Sequence, residues 1–169
     1  MCFLKLSVFV VSYNQEKYIA QAIESIVNQS ILPYEIIICD DHSIDDTWKI
    51  ITGYATIYPD LIKIYRNESN LGVNKNINKA TKLTTGNIIT CVAGDDYINP
   101  GYYEAIHQFI KEHQLNPDTE SFFIISNIVK LLNTVESKYS NLWCNGKNLL
   151  KLCVRGLIDD RYGVVSRTA

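Results

Sequence analysis

The chain has 169 residues, 47% of them hydrophobic and 20% charged, a balance that excludes a disordered polymer and provides for one domain with a real core. A net charge of −2 excludes general electrostatic attraction to nucleic acid or to anionic lipid. The five cysteines (Cys2, Cys39, Cys91, Cys144 and Cys153) are odd in number, widely spaced and without a C-x-x-C pair, so a reducing cytoplasm is the expected compartment.

Leu6–Ser12 reads as the first strand. The apolar start looks like a short signal peptide, but Lys5 interrupts it and no small-residue cleavage site follows. Tyr18, Ile19, Ala22, Ile23, Ile26 and Val27 then repeat at helical spacing, and Pro33 closes that unit. Residues 35–39 form the second strand. Ser43 is expected to cap the next helix, with Asp46 three residues on completing a capping box. Ile44, Trp48, Ile51, Ala55 and Tyr58 make the apolar stripe of that helix. After a turn at Pro59-Asp60 comes a short third strand, residues 61–65.

Residues 67–72 are polar and turn-prone. A helix over residues 73–84 follows, closed by Gly86 as a C-terminal glycine. Residues 87–93 are the fourth strand. Asn99-Pro100 begins another helix, with proline in its first turn and Tyr103, Ile106, Phe109 and Ile110 facing inward. Pro117 breaks the chain before a fifth strand within residues 121–132. Beyond Asn133 the pattern weakens, leaving a short helix over residues 148–155 and a strand starting at Gly163–Ser166. No stretch reaches the roughly 18 apolar residues that span a bilayer. The alternation gives an α/β fold, a Rossmann-like, mostly parallel sheet flanked by helices.

Two acidic pairs stand at the ends of apolar strands: Asp40-Asp41 and Asp95-Asp96. In an open α/β sheet ligands bind beyond the carboxyl ends of the strands, near the point where strand order reverses. Two carboxylate pairs on that edge repel each other unless a cation or a ligand rich in hydroxyl and imide donors compensates them. Ser12-Tyr13-Asn14 closes the first strand on the same edge, where Tyr13 either stacks on a nucleobase or packs over the following helix. Asp40 is the better placed of its pair to accept from a base imide or from ribose hydroxyls. Asp45 and Asp46 suit the positive end of a helix and read as structural. Gly94-Asp95-Asp96 is either a turn with solvated acids or a holder of a divalent cation that also touches a diphosphate. His42, His107 and His113 show no metal-ligand spacing. The missing G-x-G-x-x-G and G-x-x-x-x-G-K-[ST] motifs exclude a dinucleotide dehydrogenase and a P-loop protein. A phosphoryl-accepting receiver domain is disfavoured, because Tyr13-Asn14 follows the first strand where that architecture needs an acid pair.

In order, residues 7–14 with Tyr18-Ile19, Ser25-Ile26, Gln29, Asp40-Asp41-His42-Ser43 with Asp45 and Thr47, Asn70-Leu71-Gly72, Asn78, Ala80, Gly86 and Asp95-Asp96 before Pro100 resemble the family-2 glycosyltransferases of the GT-A fold. The resemblance is tightest over residues 5–100. It implies a single GT-A-type domain over 1–169, with a donor-binding half at about 5–132 and an incomplete acceptor side at about 133–169. It also implies a nucleotide-sugar donor, simplest as a UDP-sugar, bound through Ser12, Tyr13, Asp40, Asn78 and Asp96. Asp95 is the implied ligand of Mg²⁺ or Mn²⁺. Ala93 occupies the position of the family's first metal-motif acid, and Ile77 replaces a common arginine whose charge Lys75 is expected to supply.

The chemistry implied is inverting transfer to a saccharide or lipid-linked acceptor in bacterial surface-polysaccharide synthesis. The setting is cytoplasmic, at the inner membrane face, with any peripheral membrane contact outside this fragment. The catalytic base is expected beyond residue 169, since Asp159 and Asp160 lie on the wrong side of residues 163–167. The alternative is a non-catalytic nucleotide-binding or interaction module of the same fold.

Overall fold

The computed structural model describes residues 4–118 and, as backbone, three short strands beyond them. Its elements are β1 (Leu6–Ser12), α1 (Ile19–Val27), β2 (Glu35–Asp40), α2 (Thr47–Ile57), β3 (Ile62–Arg66), α3 (Val73–Leu83), β4 (Ile88–Ala93), α4 (Tyr102–Glu112), β5 (Phe122–Ile125), β6 (Leu142–Asn145) and β7 (Gly163–Ser166). One sheet runs β3-β2-β1-β4-β7-β5-β6. The first four strands in that order are parallel, and the three short strands extend the sheet antiparallel from β4.

Every residue of β1 and β2 is buried, as continuous apolar runs covered on both faces should be. Side chains alternate between the faces. Val8, Val10, Ile36 and Ile38 pack with Ile19, Ile23, Ile26, Ile51, Tyr103 and Ile106 from α1, α2 and α4. Phe9, Val11, Ile37 and Cys39 face Ala80 and Ile77 of α3 on the other side. Burial pushes the Cys39 thiol up to about 11 and the Cys91 thiol up to about 12, so both are inert apolar filling in the core strands.

The chain lays down β1, β2 and β3 outward in one direction, then crosses back to place β4 on the other flank of β1. Strand order therefore reverses between β1 and β4, which opens the ligand crevice of an α/β sheet above their carboxyl ends.

Four local expectations are corrected. Ser43 does not cap α2: the helix starts only at Thr47, and the Ser43 hydroxyl is already committed to Asp40. Ile44 lies before that helix, outside its periodicity, and is 83% exposed. Gly86 is not a helix cap, since α3 ends at Leu83. It is small because a Cβ there would fall 2.2 Å from the Lys5 carbonyl oxygen. Pro100 sits in the turn before α4, whose N-cap is Gly101. The helix expected over residues 148–155 and the acids Asp159 and Asp160 lie outside the described residues.

Candidate donor site at the strand rim

Register places three distant turns at one rim. Ser12 pairs with Asp40 and Val11 with Ala93, so Tyr13, Asp41 and Gly94 leave the sheet side by side. Main-chain bonds carry the alignment past the strand ends: Asp41 N–H donates to Ser12 O at 2.8 Å, Gly94 N–H to Val11 O at 2.9 Å, and Asn67 N–H to Asp40 O at 2.9 Å. Of the expected site residues, Ser12, Tyr13, Asp40, Asp95 and Asp96 share this rim.

The first acid pair needs no ligand to offset its repulsion. Asp40 is fully buried. Its Oδ1 accepts from the hydroxyls of Ser12 (3.3 Å) and Ser43, and its Oδ2 accepts from Ser43 N–H at 3.0 Å and faces Arg66 Nε at 3.4 Å. Arg66 is itself fixed by the Ser43 carbonyl and by the Trp48 ring, 5.6 Å away. All four acceptor positions of Asp40 are thus occupied, so this acid is a keystone of the rim and not the base-edge acceptor expected from the sequence.

Asp41, also buried, accepts from Asn67 Nδ2 at 2.7 Å, Leu71 N–H at 2.8 Å and Gly72 N–H at 2.9 Å. Oδ2 takes only the last of these. The Asn70-Leu71-Gly72 turn is therefore wrapped around one carboxylate. Gly72 has φ +83°, which L side chains rarely adopt, and this explains the glycine at that position.

A second set of bonds stitches the turn after β1 to the turn after β2. Asn14 N–H donates to Ser43 Oγ (2.9 Å) and Ile44 N–H to Asn14 Oδ1 (2.9 Å). Gln15 N–H donates to Thr47 Oγ1 (2.7 Å), Glu16 N–H to Asp45 Oδ2 (3.1 Å) and Asp46 N–H to Glu16 Oε2 (3.1 Å). Burial acts to raise the Asp45 pKa, but hydrogen bonds from Thr47 and Glu16 outweigh it and hold the carboxyl below its ordinary value. Asp45 is structural, as expected, though by clasping two loops and not by a charge–dipole effect alone. Asn14 and His42 both carry positive φ, +53° and +66°, and this clasp together with the His42 Nδ1–H bond to the Asn67 carbonyl (3.1 Å) holds them there.

The second acid pair is different. Asp96 N–H closes the turn onto Ala93 O at 3.0 Å, Asp96 is partly buried, and Asp95 is exposed. Among the described residues no three His, Cys, Asp or Glu side chains gather as a metal cage. A hard cation shared with a diphosphate needs only one or two carboxylates, with phosphate and water oxygens supplying the rest, so Asp95 and Asp96 fit such an ion. Tyr13 is 44% exposed, leaving ring face open at the rim.

Asn78 does not join this cluster; it is exposed on α3. The buried asparagine of that helix is Asn76, which donates to Cys39 O at 2.9 Å and accepts from Asn67 Nδ2 at 3.0 Å. Ile77 packs into the core, Lys75 is exposed, and the α3 cation reaching the site is Lys79, whose Nζ donates to Asn67 Oδ1 at 2.7 Å. Sequence reasoning missed Asn67, Asn76 and Lys79. The spacing of Asn76 and Lys79, which puts both on one helix face, was the available signal.

Comparison with known proteins agrees with this geometry. The model of glycosyl transferase family 2 matches residues 7–120. The chain is 37% identical over 110 residues to the putative glycosyltransferase EpsE of Bacillus subtilis (strain 168), covering 65% of this chain and 40% of EpsE. It is 34% identical over 113 residues to the poly(ribitol-phosphate) beta-glucosyltransferase of Bacillus spizizenii, covering 66% of this chain and 18% of that enzyme. The crystal structure of S. aureus TarS 1–349 superposes with a TM-score of 0.68 at 30% identity, covering 80% of this chain and 39% of TarS 1–349; its complex with UDP-GlcNAc superposes at 0.59 and 35% identity over 66% and 32%. The chain spans less than half the length of each of these relatives. A family-model match over two thirds of the chain, the parallel sheet with its reversal beside β1, and the acid turns at that reversal all agree: this chain belongs to glycosyl transferase family 2 and has its GT-A fold.

Proposed function

We propose that the rim above β1, β2 and β4 binds a nucleoside-diphosphate sugar, simplest as a UDP-sugar, for transfer to an acceptor hydroxyl with inversion. The observation that carries the reading is the convergence of Tyr13, the Asp40-Asp41 pair and the Asp95-Asp96 turn on one edge at the strand-order reversal. TarS, similar in fold and sequence, has a structure in complex with UDP-GlcNAc.

In this reading Tyr13 stacks on the base. Asp40, held by Ser12, Ser43 and Arg66, fixes the floor of the pocket, and Asp41 Oδ2, with room for another donor, takes the imide N–H. The 70–72 turn lies along the nucleoside side, with Asn76 and Lys79 of α3 behind it. Asp95 holds Mg²⁺ or Mn²⁺, with Asp96 beside it; the bound cation supplies charge neutralisation for the departing nucleoside diphosphate. The acceptor base lies outside the described residues. Among those residues no helix is long and apolar enough to cross a membrane. A setting in bacterial surface-polysaccharide synthesis, with a saccharide or lipid-linked acceptor at the cytoplasmic membrane face, follows from family likeness alone.

Ala93 in place of an acid favours a second reading, a nucleotide-binding module of the same fold without turnover. Incubating the whole protein with nucleoside-diphosphate sugars and Mn²⁺ and measuring release of nucleoside diphosphate separates the two. Release supports the transferase. Tight binding of UDP with no release from any sugar nucleotide supports the module.

A further inference from the structure

We propose that Asn67 is the positioning residue of the nucleobase side of this site, orienting Asp41 so that the free acceptor position of its carboxylate meets an N–H on the base edge. The inference rests on the donor-site reading above and adds a residue that the sequence motifs do not contain.

Asn67 is 4% exposed and uses every polar atom it has. Its N–H ties the end of β3 to β2 through Asp40 O, at 2.9 Å. Its Nδ2 donates to Asp41 Oδ1 at 2.7 Å and to Asn76 Oδ1 at 3.0 Å, and its Oδ1 accepts from Lys79 Nζ at 2.7 Å. Because the amide oxygen is taken by an ammonium, the amide cannot turn over, and its NH₂ must face the carboxylate. Among the described residues Asp41 Oδ1 is then filled by Asn67 and Leu71, while Oδ2 keeps one position beyond its bond to Gly72.

The Asn67 carbonyl oxygen adds a second constraint. It lies 3.1 Å from His42 Nδ1. A carbonyl only accepts, so Nδ1 carries the hydrogen. Asn67 thus orients the His42 ring as well as the Asp41 carboxylate. Uracil, whose ring edge offers an imide N–H, suits the remaining Asp41 Oδ2 position; cytosine, with an unprotonated ring nitrogen at the same place, leaves acceptor against acceptor.

The test compares UDP and CDP binding by calorimetry, with Mn²⁺ present, in the wild-type protein, Asn67→Ala and Ile51→Ala. The last is a core truncation remote from the rim that controls for lost stability. Wild type should prefer UDP by about tenfold or more. Asn67→Ala should lose most of that preference by weakening UDP while leaving CDP nearly unchanged, whereas Ile51→Ala should keep the ratio. Should Asn67→Ala not fold, Asn67→Ser carries the same comparison. An unchanged UDP/CDP ratio in the Asn67 variant, or an equal change in Ile51→Ala, overturns the positioning role while leaving the donor site intact. Failure of the wild type to bind any nucleoside diphosphate overturns the donor-site reading itself, and this inference with it.

Discussion

Gly94 lies so close against Gln15 that a Cβ on the glycine would fall 2.2 Å from Gln15 Oε1. The Ser12 Cβ and Ile19 Cδ1 are each 3.1 Å from the same point, so the turn carrying the second acid pair rests directly on the turn after β1. Among the described residues Gln15 Oε1 is buried there without a hydrogen-bond partner. Gly94→Ala should therefore cost about 1–3 kcal/mol and lift Asp95 and Asp96 away from the rim. Because the closest atom is the far end of a flexible side chain, Gln15→Ala in the same chain should recover part of that loss. Denaturant melts of the two single variants and the double variant measure the coupling.

At the opposite end of the sheet, Glu35 is buried and accepts from Ser7 Oγ at 2.7 Å, Lys63 Nζ at 2.9 Å and both the N–H and hydroxyl of Thr85. Burial alone would raise its pKa; the Lys63, Ser7 and Thr85 bonds outweigh that and bring it down to about 2. A carboxyl with a depressed folded-state pKa stabilises fully above its unfolded value, about 4.5, and loses that contribution as pH falls toward 2. The loss across this window should be about 3 kcal/mol. Glu35→Gln should be less stable at neutral pH and should show a flatter dependence between pH 4.5 and 2, read from urea melts at a series of pH values.

The acids and the tyrosine of the rim should separate into stability and binding roles. Asp40→Ala strands the buried N–H and hydroxyl of Ser43 and should cost about 2 kcal/mol or more. Tyr13→Ala should leave stability within about 0.5 kcal/mol, because nearly half of the residue is exposed, and should weaken UDP by about 1–3 kcal/mol through lost stacking. Tyr13→Phe keeps the stacking face and should bind nearly as wild type. Thermal melts and calorimetric titrations of the three variants check this division.

What the sequence disclosed and what it hid follow from the range of the interactions. β1 was legible to the residue, since a strand buried on both faces is a continuous apolar run between Lys5 and Tyr13. The convergence at one rim was legible too, because both acid pairs stand at strand ends. The internal compensation of Asp40 and Asp41 was not, because their donors Arg66, Asn67, Leu71 and Gly72 arrive 26 to 31 positions later through β3 and the turn beyond it. Asn78 rather than Asn76 drew attention for a related reason: motif position marks residue type, while burial depends on which side of α3 faces Cys39. The strand β6, only four residues long, lacks the periodicity that would have revealed it.

In this reading Asp95 and the turn after β1 serve one sugar nucleotide, which calorimetric titration of UDP with and without Mn²⁺, in wild type and in Asp95→Ala, puts to the test. Mn²⁺ should tighten UDP binding by about tenfold or more in wild type. Asp95→Ala, an exposed substitution with little effect on stability, should abolish that gain while metal-free binding persists. UDP binding that ignores Mn²⁺ and is identical in the two proteins would overturn the shared-ligand reading.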